Sequence, residues 1–349
     1  MFSQVLIEKQ IVLCFLILIL NETKSKIHRK KVGVIGLSHC QNVGNNLLKY
    51  SIFIILKKYG FEPYIIGKQK SANISFLNKY TNVRSTNNFT DIKKNDYKFL
   101  IVNSDQTWRK RGKNFYNIAF LKFAEKWNIP KFIYGTSIGF NKWKFSKRDE
   151  KIAKYLLKDF TGISVRDINL VKLIKKHLGL NAIFVLDPTL LIEKKYFLYI
   201  IKNYKNHINI KKNYIFTYKI TSLKSKMNIF ILESSKKLNY SIYNVNKYDE
   251  EYIEKFLYGI KLCKAVITDS FHGTIFSIIF NKPFITFKRK NDGRLQTLKT
   301  IFDLKNRIIE SDECPDVNLL KQPLYINKAK LNKMKNKSLR YLKKNLLIE

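Results

Sequence analysis

VGVIGLSHCQNVGNNLLKYSIFIILKKYGFEPYII, residues 32–66, carries the pattern that decides the fold. Residues 32–37 are a short apolar run bounded by a polar turn, as in a strand buried on both faces. Residues 46–59 carry apolar side chains at helical spacing and end at Gly60, a residue that closes helices because it enters the left-handed conformation without a Cβ clash. Residues 61–66 return as a second strand. Strand, helix and strand in this order form a βαβ unit, which predicts a parallel sheet with right-handed crossovers.

Working outward, the alternation continues. Residues 99–102, 131–134, 163–165 and 183–186 read as strands; 115–127 and 169–178 read as helices, the second stopped by Gly179. Asp187-Pro188 closes this set. Residues 193–212 are rich in Lys and Asn with irregular apolar content, so the crossover to a second domain is placed there. Strands at 214–220, 241–245, 265–268 and 283–287 alternate with helices at 223–238, 252–263 and 273–280. Residues 328–347 form a basic amphipathic helix. The expected fold class is α/β, with two Rossmann-like domains facing across a cleft. The expected division is an accessory segment 1–30, an N-terminal α/β domain 31–195, a C-terminal α/β domain 196–325 and the basic helix in 326–349. Such halves place a cleft at the C-terminal ends of their strands.

At 349 residues, 45% hydrophobic, the chain has enough apolar material for two packed domains. Its net charge of +40 comes from 66 Lys+Arg against 26 Asp+Glu. Two readings fit that excess: a compositional drift that over-uses Lys, Ile, Asn, Tyr and Phe together, and an attraction to anionic substrates, glycans or the inner membrane face. The basic residues are spread along the whole chain and no nucleic-acid-binding motif is present, so nucleic acid is not the expected partner. The four cysteines Cys14, Cys40, Cys263 and Cys314 form no C-x-x-C pair and no zinc-ligand spacing. They are too sparse for a disulfide framework, which suits a reducing cytoplasm; no metal and no cofactor is called for. Residues 11–20 (IVLCFLILIL) are apolar but fall short of the roughly 20 residues that span a bilayer. Glu8 and Lys9 precede the run and no A-x-A-like site follows, against a secretory signal. An accessory helix, a start assigned upstream of the true one, or a weak membrane anchor with its basic flank inside all remain compatible.

Four segments carry chemistry. In 265–287, a buried strand runs into Asp269-Ser270-Phe271-His272-Gly273-Thr274 and an apolar helix leaves at once. His272 thus stands at a strand-to-helix turn, where helix N–H groups favour an anion. It is suited to proton transfer near neutral pH, and Gly273 would let a ligand approach the backbone. The structural alternative is Asp269 as an N-cap beside a satisfied histidine. In 99–108, a strand ends in Asn103, Ser104, Asp105 and Gln106, which line a cleft or cap the next helix. In 162–167, Arg166 directly follows a strand; it suits bidentate capture of a carboxylate or phosphate, or else an ion pair with Asp167 or Asp187. In the loop 38–46, Asn42, Gly44 and Asn45 cradle an anion or sugar, or make a tight turn. With one glycine this loop matches neither a P-loop nor a dinucleotide fingerprint.

Taken together and in order, NVGNNLL (42–48), SDQTW (104–108), YGTSIG (134–139), ISVRD (163–167), VLDPTLL (185–191), TDSFHGTIFSIIFNKPFI (268–285), Arg294 and FDLKNRII (302–309) resemble the polysaccharide pyruvyl transferase family. The resemblance covers residues 31–309. It implies a fold similar to the two-domain glycosyltransferase-B arrangement. It implies phosphoenolpyruvate as donor and a glycan or lipid-linked sugar as acceptor, at the cytoplasmic side of capsule, exopolysaccharide or cell-wall synthesis. It places the family's active-site histidine on His272 and its arginine on Arg166, with Asp269, Ser270, Gly273, Thr274 and Arg294 beside them. Two positions depart from the pattern. Ser270 stands where some members have arginine, so anion binding would pass to Arg294 or Lys288, and Asn103 replaces an expected glycine. A glycosyltransferase using a nucleotide sugar shares the architecture and is the competing reading.

Overall fold

The computed structural model describes residues 30–37, 42–67, 71–81, 84–86, 88–103, 105–204, 213–220, 225–245 and 251–348. The apolar run 11–20, the loop residues 38–41 and Ser104 lie outside them. The first half alternates β1 (Lys31–Ile35), α1 (Val43–Lys58), β2 (Glu62–Ile66), α2 (Ser71–Thr81), β3 (Arg84–Thr86), β4 (Leu100–Val102), α3 (Phe115–Phe120), β5 (Lys131–Thr136), α4 (Lys147–Leu157), β6 (Gly162–Val165), α5 (Ile168–Leu178) and β7 (Ile183–Phe184). After α6 (Lys194–Lys202) the second half runs β8 (Tyr214–Tyr218), α7 (Ser225–Leu238), β9 (Ser241–Asn244), α8 (Tyr252–Leu262), β10 (Ala265–Thr268), α9 (Phe271–Ile279), β11 (Phe284–Lys288), α10 (Gly293–Ile301), β12 (Ile308–Glu310) and α11 (Lys328–Leu346).

Two parallel sheets result, ordered β3-β2-β1-β4-β5-β6-β7 and β12-β11-β10-β8-β9. In the first, strand order reverses between β1 and β4; in the second, between β8 and β10. Loops leave such a switch point in opposite directions and open a crevice beyond the strand ends. The glycosyltransferase-B-like expectation of two Rossmann-like sheets is therefore met.

Helix α1 explains how the halves stay together. Every residue from Val43 to Leu56 is buried, because its apolar side chains go nearly all the way round. One hydrophobic core joins α1 and the first sheet to Phe216, Phe256, Val266 and Phe276 of the second half. A second core fills the other face of the first sheet, and a third the far face of the second sheet. Helix α11 returns to the first half. There the Tyr341 hydroxyl donates to the Ile133 carbonyl at 2.8 Å, and the Leu186 N–H donates to the Ser338 hydroxyl at 2.9 Å. Gly162 leaves room for Tyr341 and Asn345 to reach the sheet.

Two elements differ from expectation. The stretch read as irregular begins with helix α6, whose Tyr196, Phe197 and Ile200 are buried against the shared core while its lysines face outward. The helix expected over 115–127 stops at Phe120. Leu121 takes a left-handed conformation (φ 53°) and a short 3-10 turn, Lys122–Ala124, follows. No helix among the described residues is long and apolar enough to cross a membrane.

Candidate active site

The two switch points face each other across a cavity of about 240 Å³. Leu37, Asn42 and Asn45 reach it from the β1–α1 connection, and Asp105, Gln106, Arg109 and Arg111 from beyond β4. Ile220 comes from beyond β8, Ser270, Phe271 and His272 from the start of α9, and Arg289 and Arg294 from around the end of β11 and the start of α10. A larger cavity, about 570 Å³, lies between the α10–β12 and β12–α11 connections. Its buried Arg307 is spent on the carbonyls of Leu319, Gln322 and Pro323, a brace for the chain leading into α11. The chemistry concentrates at the smaller one.

Its floor is a buried ionic network that crosses between the halves. Arg166 donates to both Asp187 and Asp105. Arg294, from the second half, donates through Nη1 to the two oxygens of Asp105 at 2.9 and 2.7 Å. Its Nε and Nη2 go to Asp292 at 3.1 and 2.7 Å. Asp292 also accepts from Arg289 at 2.7 Å and caps α10 through the N–H of Arg294. Both guanidiniums lie over the ring of Phe271, 4.8 and 5.2 Å from its centroid. Burial works against ionising Asp105, Asp187 and Asp292, yet the adjoining arginines outweigh it and hold all three carboxyls below the ordinary range. Asp167 is the exception. Burial pushes its carboxyl up to about 6, even though it accepts a 2.6 Å hydrogen bond from Ser137.

His272 sits in the first turn of α9, with Nε2 3.6 Å from an oxygen of Asp187. That separation is beyond a hydrogen bond. Gly44 lies against the imidazole: a Cβ there would stand 1.9 Å from ring Nδ1, far inside contact distance. The glycine in NVGNN thus makes space for the histidine of the opposite half.

The expected site residues divide accordingly. Asn42, Asn45, Asp105, Gln106, Ser270, His272 and Arg294 line the cavity. Asn42 also caps α1 through Asn45 N–H at 3.1 Å, and Asn45 accepts from Asp105 N–H at 3.3 Å, so the first loop and the β4 loop are tied. Arg166 is buried, its guanidinium committed to Asp105 and Asp187, which realises the ion-pair alternative. The N-cap of α9 is Ser270, whose hydroxyl accepts from Gly273 N–H at 3.2 Å, and not Asp269. Asp269 accepts from Ile220 N–H at 2.6 Å and ties the β8 and β10 loops together. Gly273 serves packing and not ligand approach, because a Cβ would press on Thr268. Thr274 bonds the Ser270 carbonyl and Thr286, away from the cavity lining. Lys288 pairs with Glu310 at 3.0 Å, so of the two substitutes for a missing arginine only Arg294 reaches the cavity.

Sequence reading missed Arg109, Arg111 and Arg289. The runs WRKRGK and FKRKNDGR do flank the recognised motifs, but in a chain with 66 basic residues their charge does not stand out. Arg109 and Arg111 donate to the amide oxygen of Gln106 at 3.3 and 3.4 Å. Partial burial and the nearby charges of Arg111, Arg289 and Arg294 lower the affinity of Arg109 for its proton, the mark of crowded positive charge. Four arginines and one carboxylate line the cavity, so basic side chains outnumber acidic ones on its walls.

Comparison with solved structures agrees with the fold. The described fold is similar to a UDP-GlcNAc 2-epimerase from Methanocaldococcus jannaschii, 13% identical over 90% of this chain and 99% of that one, with a TM-score of 0.57. It is also similar to a glycosyltransferase from Rickettsia africae, 14% identical over 92% and 100% of the two chains, with a TM-score of 0.53. A UDP-GlcNAc 2-epimerase from Neisseria meningitidis, solved with UDP-GlcNAc bound, is 10% identical over 92% and 94%, with a TM-score of 0.52. At these identities the likeness is one of fold. Among curated proteins none matches the sequence. The polysaccharide pyruvyl transferase family matches residues 42–291, a span that takes in α1, the β4 loop, Arg166, Asp187, His272 and Arg289, and the chain belongs to that family.

Proposed function

We propose that the protein transfers a pyruvyl group from phosphoenolpyruvate to a pair of hydroxyls on a sugar of a cell-surface polysaccharide or its lipid-linked precursor. The observation that carries this reading is the meeting of four arginines and one histidine on a single cavity between the halves. Phosphoenolpyruvate brings a carboxylate and a phosphate on adjacent atoms, and guanidiniums match both in bidentate geometry. In this reading Arg109, Arg111 and Arg289 hold the donor's anionic groups. Arg294 and Arg166 hold Asp105, Asp187 and Asp292 in place on the floor beneath them.

The reaction needs a proton on the donor's methylene carbon, which leaves positive charge on the neighbouring carbon. One sugar hydroxyl attacks that carbon, the bond to phosphate breaks, and the second hydroxyl closes the ketal. Two hydroxyl protons are released; they balance the proton gained by the new methyl group and the one leaving with phosphate. In this reading His272, beside Asp187 and in the first turn of α9, is the group that moves the proton.

The test is thermal stabilisation of the purified chain by phosphoenolpyruvate, UDP-GlcNAc and a CMP-sugar in parallel. A ligand at about 100 times its dissociation constant adds roughly 2.7 kcal/mol. A shift with phosphoenolpyruvate alone is expected. A shift with a nucleotide sugar and none with phosphoenolpyruvate would replace this reading with glycosyl transfer.

A further inference from the structure

We propose that the outer face of α11 is a docking surface for an anionic membrane. The helix is 19 residues, KAKLNKMKNKSLRYLKKNL, with no acidic residue, and roughly 28 Å long. Lys330, Lys333, Lys337, Arg340 and Lys344 are exposed and recur every three or four residues, which aligns them on one side. Ser338, Tyr341, Leu342, Asn345 and Leu346 are buried on the other, against the first half and the shared core. The stripe is therefore fixed in place by the fold and faces outward along the whole helix.

A second observation shows what kind of anion it suits. Beside the stripe runs a shallow groove of about 380 Å³ between α11 and the end of α1, lined by Tyr59, Asn336, Leu339, Arg340 and Lys343. An aromatic and an aliphatic side chain form its apolar part, with two cations at its rim. Apolar surface beside basic side chains is the pairing used at the boundary between lipid headgroups and acyl chains. The nearby acid, Glu193, is already shared by Lys58 and Lys195, so it does not neutralise the stripe. Helix α4, by comparison, mixes its lysines with Asp149 and Glu150. The docking face shares no residue with the arginine cavity. Membrane contact and catalysis are thus separable, and an acceptor carried on a lipid would be met at the surface where it is made.

The experiment is co-sedimentation of the full chain with vesicles of phosphatidylglycerol mixed with phosphatidylcholine, and with phosphatidylcholine alone. Binding is expected only to the anionic vesicles and should weaken with salt. Replacing Lys333, Lys337, Arg340 and Lys344 together by glutamine should cut the partition constant about tenfold or more. A milder variant, Lys337→Gln with Arg340→Gln, should cut it by at least about threefold and guards against misfolding of the first. The control replaces four exposed lysines elsewhere, Lys151, Lys154, Lys172 and Lys176, and should change binding less than about twofold. An equal fall in control and α11 variants would mean that total charge alone matters, and would overturn the proposal. So would unchanged vesicle binding by the α11 variants, or loss confined to binding of a DNA or RNA oligonucleotide.

Discussion

The floor and the mouth of the cavity are built from the same side chain put to opposite uses. On the floor, Arg166 and Arg294 are enclosed by Asp105, Asp187 and Asp292, and little charge is left over. At the mouth, Arg109 donates to the neutral amide oxygen of Gln106, and Arg289 gives one nitrogen to Asp292. An arginine beyond a strand end is thus not by itself a ligand-binding residue. What decides is whether the fold has already supplied its carboxylate. The floor also crosses from one half to the other through Asp105 and Arg294, so the same ion pairs that cancel charge fix the width of the cleft.

If the floor is structural, breaking it should cost more than any other change here. Arg166→Ala leaves Asp105 short of one partner and Asp187 without its arginine, both buried, and should lower stability by about 3–5 kcal/mol; urea unfolding measures it. A loss below about 1 kcal/mol would mean that the floor adds little to the shared core that joins the halves. Gly44→Ala probes the same joint sterically. Its methyl group would occupy the space of the His272 ring, and the expected cost is in the upper part of roughly 1–3 kcal/mol. Adding His272→Ala should recover much of that loss, because the colliding ring is gone. Additive losses in this cycle would show that the two residues do not touch.

How far the sequence already held this picture depends on the kind of signal. Buried strands such as 265–268 were legible to the residue, because a continuous apolar run between polar turns has few other readings. Helix α6 was not, because its three buried residues are interleaved with lysines and its amphipathic face is short. For the site, Asp105 and His272 follow from their places beyond strand ends, and Arg294 from the family pattern alone. The commitment of Arg166 was legible only as an alternative, an ion pair with Asp167 or Asp187; the structure gives it Asp187 and also Asp105, whose loop is distant in sequence. The role of Gly44 was hidden for the same reason: the group that needs its missing side chain is 228 positions away in the other half. Local chemistry is written locally, whereas pairing across a cleft is a property of the closed fold.

Asp167 sharpens the contrast by pH. Its carboxyl is raised from 3.8 to about 6, so the folded state holds the proton more tightly than the unfolded chain does. Its contribution to stability is therefore full below about 4, falls as pH rises through 6, and becomes a net cost on the order of 3 kcal/mol at pH 8. Asp167→Asn keeps an acceptor for Ser137 and carries no charge. It should be more stable than the parent at pH 8, by that amount, with the gap closing toward pH 4. A gap that is constant with pH would show that the carboxylate is not the source.

The smallest effect on stability belongs to the mouth, and it is the one that separates structure from function. Arg111 is exposed, and Arg111→Gln should change the unfolding free energy by less than about 0.5 kcal/mol. If the mouth holds the donor, the same change should weaken phosphoenolpyruvate binding about tenfold or more, the size of one lost charge-assisted contact. Calorimetric titration of parent and variant measures it. A variant that binds phosphoenolpyruvate as tightly as the parent would remove Arg111 from the anion site. One that loses stability instead would move it to the floor, and the division between the two regions would have to be drawn further out along the loop after β4.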